Sequence, residues 1–265
     1  MHRKLGQTEI NVSLIGLGTV KFGRNQALKY PTIDELPSDA EILNLLQQTF
    51  DMGINLLDTA PAYGKSEERL GLCLKKMGNR HDWIIASKCG ENFKDGISSF
   101  DFSKNALIES VDNSLKVLHT DYLDIMLIHS NGDDVKIIKN DEVFETLSDL
   151  KKTGKIRAFG MSTKTIEGGK LALQYSDVAM VTYNPIETKE KTVIAYAHQL
   201  KKGILIKKAL ASGHIDKISQ FENPVKKSIT FILKEEGVHS IVIGTLHAHH
   251  LKEIINYASE FKATR

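Results

Sequence analysis

Asp58, Tyr63, Lys88 and His129 form a set that can do together what none of them does alone. A carbonyl that accepts hydride needs a proton on its oxygen, and a phenol is a poor donor by itself, with a reference pKa of about 10. A neighbouring ammonium stabilises the phenolate and makes the phenol a usable acid. Lys88 can supply that ammonium, Asp58 can hold it in place, and His129 can donate a hydrogen bond to the same oxygen and orient the substrate. Taken singly, each residue has a plainer reading: Asp58 as a turn cap, Lys88 as a chain reaching for solvent, His129 as a satisfied core histidine. Their joint arrival at neighbouring strand ends is what points to chemistry.

Those strand ends follow from the pattern of the chain. Short runs rich in Ile, Leu and Val alternate with longer amphipathic segments, as parallel strands covered on both faces require. The strands are expected at Val12–Gly16, Ile54–Leu57, Trp83–Ser87, Tyr122–Ile128, Arg157–Gly160, Val178–Thr182, Gly203–Ile206 and Ser240–Ile243. Helical spacing separates them. Ile42, Leu45, Leu46 and Phe50 follow a Ser38-Asp39 start and end at Gly53, and Val143, Leu147 and Leu150 lead to Gly154. The last helix is expected from Ala248 to about Ala258. Eight strands and eight helices in alternation fit an open doubly wound sheet or a closed barrel, and eight repeats in one domain-sized chain favour the α/β (β/α)8 TIM barrel. Arg3–Val12, with its Gly6-Gln7 turn, reads as a short N-terminal β-hairpin ahead of it, and no linker divides residues 1–265, which are expected to form a single domain. In such a barrel the chemistry sits at the C-terminal ends of the strands. There lie Asp58, Lys88 and His129, then Gly160-Met161-Ser162-Thr163, Tyr183-Asn184-Pro185, Lys207-Lys208 and Gly244-Thr245.

Composition excludes other classes. A formal charge of +2 is too small to argue for nucleic acid or an acidic membrane as partner. No apolar run approaches the ~20 residues of a membrane helix, and no signal peptide is visible, so a cytoplasmic protein is expected. Cys73 and Cys89 make neither a disulfide framework nor a metal spacing. Cys89, beside Lys88, reads as a packed thiol rather than a redox sensor. His247, His249 and His250 lack the spacing of a zinc site and are read as anion contacts or surface, with no metal expected.

The same residues carry a resemblance. Asp58-Thr59-Ala60-Pro61-Ala62-Tyr63-Gly64-Lys65-Ser66-Glu67-Glu68-Arg69-Leu70-Gly71 resembles the long signature of the aldo-keto reductases. Ser110, Ser114-Leu115 and Leu118 through Asp124 to Ile128-His129 resemble a second signature, and Gly154-Lys155-Ile156-Arg157 with Gly160-Met161-Ser162 a third. The resemblance implies the barrel fold, the tetrad Asp58, Tyr63, Lys88 and His129, and a nicotinamide cofactor, NADP(H), with NAD(H) as the alternative. It implies reduction of small-molecule aldehydes or ketones, by a monomer or weak homo-oligomer, with Tyr63 as general acid.

The resemblance further places cofactor contacts at Gly18, Thr19, Asp58, Ser162, Thr163, Met180, Lys207, Lys208, Ala209, Leu210, Gly244, Thr245, His247, His250 and Glu253. Several depart from the family pattern. Ser162 matches the serine that binds the carboxamide, but Thr163 replaces its Asn neighbour and Met180 replaces a glutamine. Lys207 stands where an aromatic usually stacks on the nicotinamide, either beside that ring or bent away to the pyrophosphate. His250 replaces the arginine that often clasps the 2′-phosphate. Phe93, Asp101 and Phe102, after the third strand, are candidates for lining the substrate pocket. Two rival readings are a non-enzymatic redox sensor of the same family and a metal-dependent barrel hydrolase. The intact tetrad speaks against the first and the missing ligand pairs against the second.

Overall fold

The computed structural model describes residues 1–28, 35–214 and 222–263. Its strands are β1 (His2–Lys4), β2 (Asn11–Ser13), β3 (Ile15–Gly18), β4 (Leu56–Asp58), β5 (Ile84–Cys89), β6 (Glu91–Lys94), β7 (Ile97–Phe100), β8 (Leu123–His129), β9 (Ile156–Ser162), β10 (Val178–Thr182), β11 (Gly203–Lys207) and β12 (Ser240–Ile243). Eight of them close a parallel barrel in the order β3-β4-β5-β8-β9-β10-β11-β12 and back to β3. A short helix α1 (Val20–Gly23) precedes α2 (Asp39–Asp51), and α3 (Ser66–Met77), α4 (Lys104–Val117), α5 (Asp134–Ile138), α6 (Asp141–Lys152), α7 (Ile166–Tyr175), α8 (Lys191–Gln199), α9 (Pro224–Leu233) and α10 (Ala248–Ala263) complete the outer ring. No helix among the described residues is long and apolar enough to cross a membrane.

The first barrel strand differs from the sequence expectation. Val12–Gly16 reads as one run, but it is cut at Ser13–Leu14: β2 pairs antiparallel with β1 in the N-terminal hairpin, and β3 pairs with β4 and β12 in the barrel. Ser13 makes the break. Its amide donates to Asn55 Oδ1 at 2.7 Å and its hydroxyl to the Ile15 carbonyl at 2.6 Å, so its polar groups leave the ladder. A second hairpin, β6–β7, was not foreseen. It turns on Asp95-Gly96, both at positive φ (51° and 82°), the two-residue turn that matches strand twist.

Two apolar layers hold the barrel. The outer one lies between strands and helices, with Leu46, Leu70, Leu107, Leu147, Leu173 and Leu251 turned inward from successive helices. The inner one fills the barrel itself with Leu56, Ile125, Leu127, Val178, Met180 and Leu205, and Leu5, Ile10 and Val12 of the N-terminal hairpin plug its lower end. α2 starts on a capping box between Ser38 and Glu41 and stops at Gly53 (φ 75°). The barrel is thereby packed with apolar side chains below, and its polar strand ends gather above.

Candidate active site

Parallel register sets the positions of the tetrad. Asp58 pairs with Ala86, and Lys88 lies two residues further along β5 on the same face. Lys88 in turn pairs with Leu127, and His129 lies two residues beyond it, opposite Ser162. Tyr63 enters from a 3-10 turn, Pro61–Tyr63, closed by Gly64 at φ 63°. A Cβ at Gly64 would stand 2.3 Å from the Gly23 carbonyl oxygen, so any other residue would push the turn that carries Tyr63 off α1.

Lys88 is 2% exposed. Its ammonium donates to Asp58 Oδ1 at 2.6 Å and to the Thr59 carbonyl at 2.9 Å, and it lies 4.7 Å from the Tyr63 ring centroid. Burial works to strip its proton, but the charges of Asp58 and Tyr63 outweigh burial and hold its pKa above the ordinary lysine value. The His129 ring meets Tyr63 edge-on, with centroids 6.2 Å apart. The arrangement can deliver a proton from the phenol to an oxygen placed between Tyr63 and His129.

Two residues of this site escaped the sequence analysis. Glu91, at the start of β6, brings Oε2 to 2.7 Å from His129 Nδ1 and accepts a 2.6 Å hydrogen bond from the Ser98 hydroxyl. Burial raises its pKa, but His129, Ser98 and Arg24 together bring it down to about 2. Arg24, after α1, lies 4.0 Å from Glu91 and stacks 3.5 Å over the Phe93 ring. The available signal was the Asp95-Gly96 turn, which folds a hairpin back over the strand end that carries Lys88.

A cavity of about 1350 Å³ opens above these groups. Asp58, Tyr63, Lys88 and His129 line it, as do Gly18, Ser162, Met180, Lys207, Lys208, Ala209, Leu210, Gly244, Thr245, His247, His250 and Glu253. Thr19 and Thr163 do not line it. The Thr19 hydroxyl is buried against Ser66 and the Asp58 carbonyl, and Thr163 is fully buried with its hydroxyl unpartnered among the described residues. Phe93, Asp101 and Phe102 are also absent from the lining. Phe93 lies under Arg24, Phe102 fills the space at Gly90, and Asp101 accepts the Ser103 amide at the surface.

Lys207 is held by two acceptors at and just past the end of β9. Its ammonium donates to Ser162 Oγ at 2.8 Å and to the Thr163 carbonyl at 2.7 Å, reaching across the end of β10. Burial lowers its pKa to about 8, partly opposed by Glu190. Glu190, raised by burial, accepts the Thr182 amide at 2.8 Å through one oxygen, and its other oxygen has no partner among the described residues. At the far end, Thr245 Oγ1 lies 3.0 Å from His250 Nδ1 beside the start of α10, whose first turn carries no acidic residue. The rings of His247, His249 and His250 crowd together, with centroids 4.2–5.5 Å apart. Among the described residues no three groups are placed to hold a metal. Cys89 is fully buried and its thiol is pushed up to about 12, the state of a packed, unreactive sulfur.

Comparison with known proteins agrees with the barrel fold. The model of the Aldo/keto reductase family matches residues 14–230. The crystal structure of PA4992 from Pseudomonas aeruginosa superposes with a TM-score of 0.89 at 47% identity, covering 98% of this chain and 94% of that one. The aldo-keto reductase YhdN of Bacillus subtilis is 33% identical over 80% of this chain and 62% of its own length. An NADH-specific methylglyoxal reductase of Escherichia coli is 31% identical over 67% of this chain and 56% of its own length. The chain thus spans a little over half the length of those two relatives.

Proposed function

From the premise that the chain belongs to the aldo/keto reductase family, we propose that it reduces aldehydes or ketones to alcohols with NADPH, Tyr63 acting as general acid. The carrying observation is the buried Lys88 ammonium, fastened by Asp58 and the Thr59 carbonyl and lying 4.7 Å from the Tyr63 ring centroid. A bound reduced nicotinamide supplies the hydride. Tyr63 gives its proton to the developing alkoxide, and Lys88 stabilises the phenolate left behind. Asp58 keeps the ammonium from turning away.

The cavity fits a dinucleotide. Ser162 accepts from Lys207 and keeps its own hydroxyl proton to donate to a carboxamide oxygen. Thr245, His247 and His250 surround the N-terminus of α10, a 16-residue helix whose unpaired amides favour an anion. A preference for NADPH rests on His250, His249 and Lys252 near that terminus. The relative named for NADH keeps the other cofactor a live outcome.

Replacing Tyr63 by Phe tests the assignment. Turnover followed by cofactor absorbance is expected to fall about 10²–10⁴-fold. The dissociation constant for NADPH should stay within a few-fold of native, because the phenol acts on substrate oxygen and not on the dinucleotide. A Phe variant retaining a third of native turnover would remove Tyr63 from its role.

A further inference from the structure

Arg24 holds the turn that carries Tyr63 on both sides of the phenol. Its Nη1 donates to the Ala62 carbonyl at 3.0 Å, one residue before Tyr63. One residue after it, a Cβ at Gly64 would lie 2.3 Å from the Gly23 carbonyl oxygen and 3.8 Å from Arg24 Cβ. The rest of the guanidinium is tied to its own loop. Nε donates to the Gln26 carbonyl at 2.9 Å and Nη2 to the Ala27 carbonyl at 3.2 Å, and the Phe93 ring lies 3.5 Å away. The side chain is only 10% exposed, on the wall of the cavity that Tyr63 also lines. Such a fixed fork of donors is more than a solvated surface charge requires.

The charge of this group is left largely uncancelled. An arginine stays protonated throughout the working range of an enzyme. Its donated bonds go to neutral carbonyls, and the carboxylate that faces it, Glu91, stands off at 4.0 Å. Lys88, by contrast, has Asp58 at 2.6 Å, which takes up much of its charge. A phenol that gives its proton to substrate becomes an anion, and a second cation near it then matters. Burial lowers the Arg24 pKa and the charges of Glu91 and Tyr63 oppose burial, so the attraction between Arg24 and Tyr63 is mutual.

Building on the reductase reading above, we propose that Arg24 is a positioning residue that fixes the Tyr63 turn and sets a second, permanent positive charge beside the phenol, so that Tyr63 releases its proton more readily. Lys88 from β5 and Arg24 favour the phenolate. Asp58 from β4 and Glu91 from β6 oppose it. His129 from β8 is neutral where a phenol titrates, because burial keeps its pKa below the ordinary histidine value. Glu67 of α3 is turned to Ser87 and Ser114, and Lys21 of α1 bears on His250.

The near-ultraviolet absorbance of tyrosinate, titrated in each protein and in its Tyr63→Phe counterpart, gives the ionisation of Tyr63 by difference and without turnover. In Arg24→Met the Tyr63 pKa is expected to rise by about one pH unit, the lower end of what a nearby opposite charge does. Arg24→Lys keeps the charge and loses the fork, so its value should lie closer to native than to Arg24→Met. Glu91→Gln leaves the Arg24 carbonyl bonds in place and removes the opposing anion, so the pKa should fall. The alkaline limb of kcat for carbonyl reduction should move in the same sense in each variant. A Tyr63 pKa that moves in neither Arg24→Met nor Glu91→Gln overturns the proposal, and so does a loss of turnover that is equal at every pH. Should Arg24→Met fail to fold, the fall in Glu91→Gln carries the test by itself. The expected titration shifts without turnover on any carbonyl would count against the reductase reading and leave the hold of Arg24 on Tyr63 in place.

Discussion

Lys207 spends its ammonium on Ser162 and Thr163 in the part of the cavity where the nicotinamide ring is proposed to lie. Oxidised nicotinamide is cationic and the reduced ring neutral, so the ammonium penalises the oxidised form. At ~6 Å and an effective dielectric of ~20 the bare repulsion is roughly 3 kcal/mol. Glu190 and relaxation reduce it, and about 1 kcal/mol, or fivefold in affinity, is expected to survive. The pKa of about 8 gives the direction with pH: the lysine is charged below that value and neutral above it. The ratio of NADP⁺ to NADPH dissociation constants should therefore fall about fivefold between pH 7 and pH 9.5. In Lys207→Met it should be low at both. Dissociation constants by titration calorimetry check this, and a ratio unmoved by pH and by the substitution would show that Lys207 does not bias the redox forms. Sequence alone marked Lys207 as a departure but could not aim it, because its acceptors lie at and just past the end of β9, more than forty residues away. The tetrad was legible for the opposite reason: Asp, Tyr, Lys and His are scarce at the ends of apolar strands, so their positions speak without coordinates. Glu91 looks like any surface carboxylate until its hairpin folds over His129.

The start of α10 raises the corresponding question for an element. Burial, followed by the charges of His249 and His247, lowers the His250 pKa, so the free protein holds that ring neutral at pH 7. A 2′-phosphate would draw a proton onto it, and that proton is easier to supply at low pH. The preference in kcat/KM for NADPH over NADH is thus expected to be larger at pH 6 than at pH 8. Equal preference at both pH values would leave the helix amides and Lys252 as the anion contact and take His250 out of it. Helices with a capped start and a glycine stop, such as α2, were readable nearly to the residue, since cap chemistry is local. The division between β2 and β3 was not, because Ser13 breaks the strand through a partner at Asn55. The β6–β7 hairpin was missed because it is too exposed to show a buried alternation; only its Asp-Gly turn betrayed it.

For the whole molecule, the buried Glu67 should leave a mark on stability. It is 3% exposed, hydrogen-bonded by the Ser87 and Ser114 hydroxyls, and burial raises its pKa to about 7. A carboxyl raised in the folded state favours folding while protonated. That contribution is whole below the unfolded value near 4.5 and is lost as pH climbs to about 7. Glu67→Gln cannot ionise. Its stability relative to native should therefore improve on going from pH 4 to pH 8, by on the order of 2 kcal/mol. Urea melts of both proteins at the two pH values measure it, and a pH-independent difference would mean that Glu67 does not titrate in this window. The barrel as a whole was legible because strand–helix alternation is a repeated signal, whereas a single buried acid inside a helix signature is not.

The plug at the base of the barrel also sets an order of events in time. Leu5 packs on Gly203, Gly6 lies against the backbone of Lys201–Gly203, and Arg3 donates to the Val238 carbonyl. Synthesis proceeds from the amino end, so these residues emerge from the ribosome long before the strands they seal exist. Until residue 240 or so has been made, Leu5, Ile10 and Val12 have no finished surface to cover, and the lower mouth of the barrel stays open. The hairpin that comes early in the chain is therefore expected to be among the last pieces to be seated.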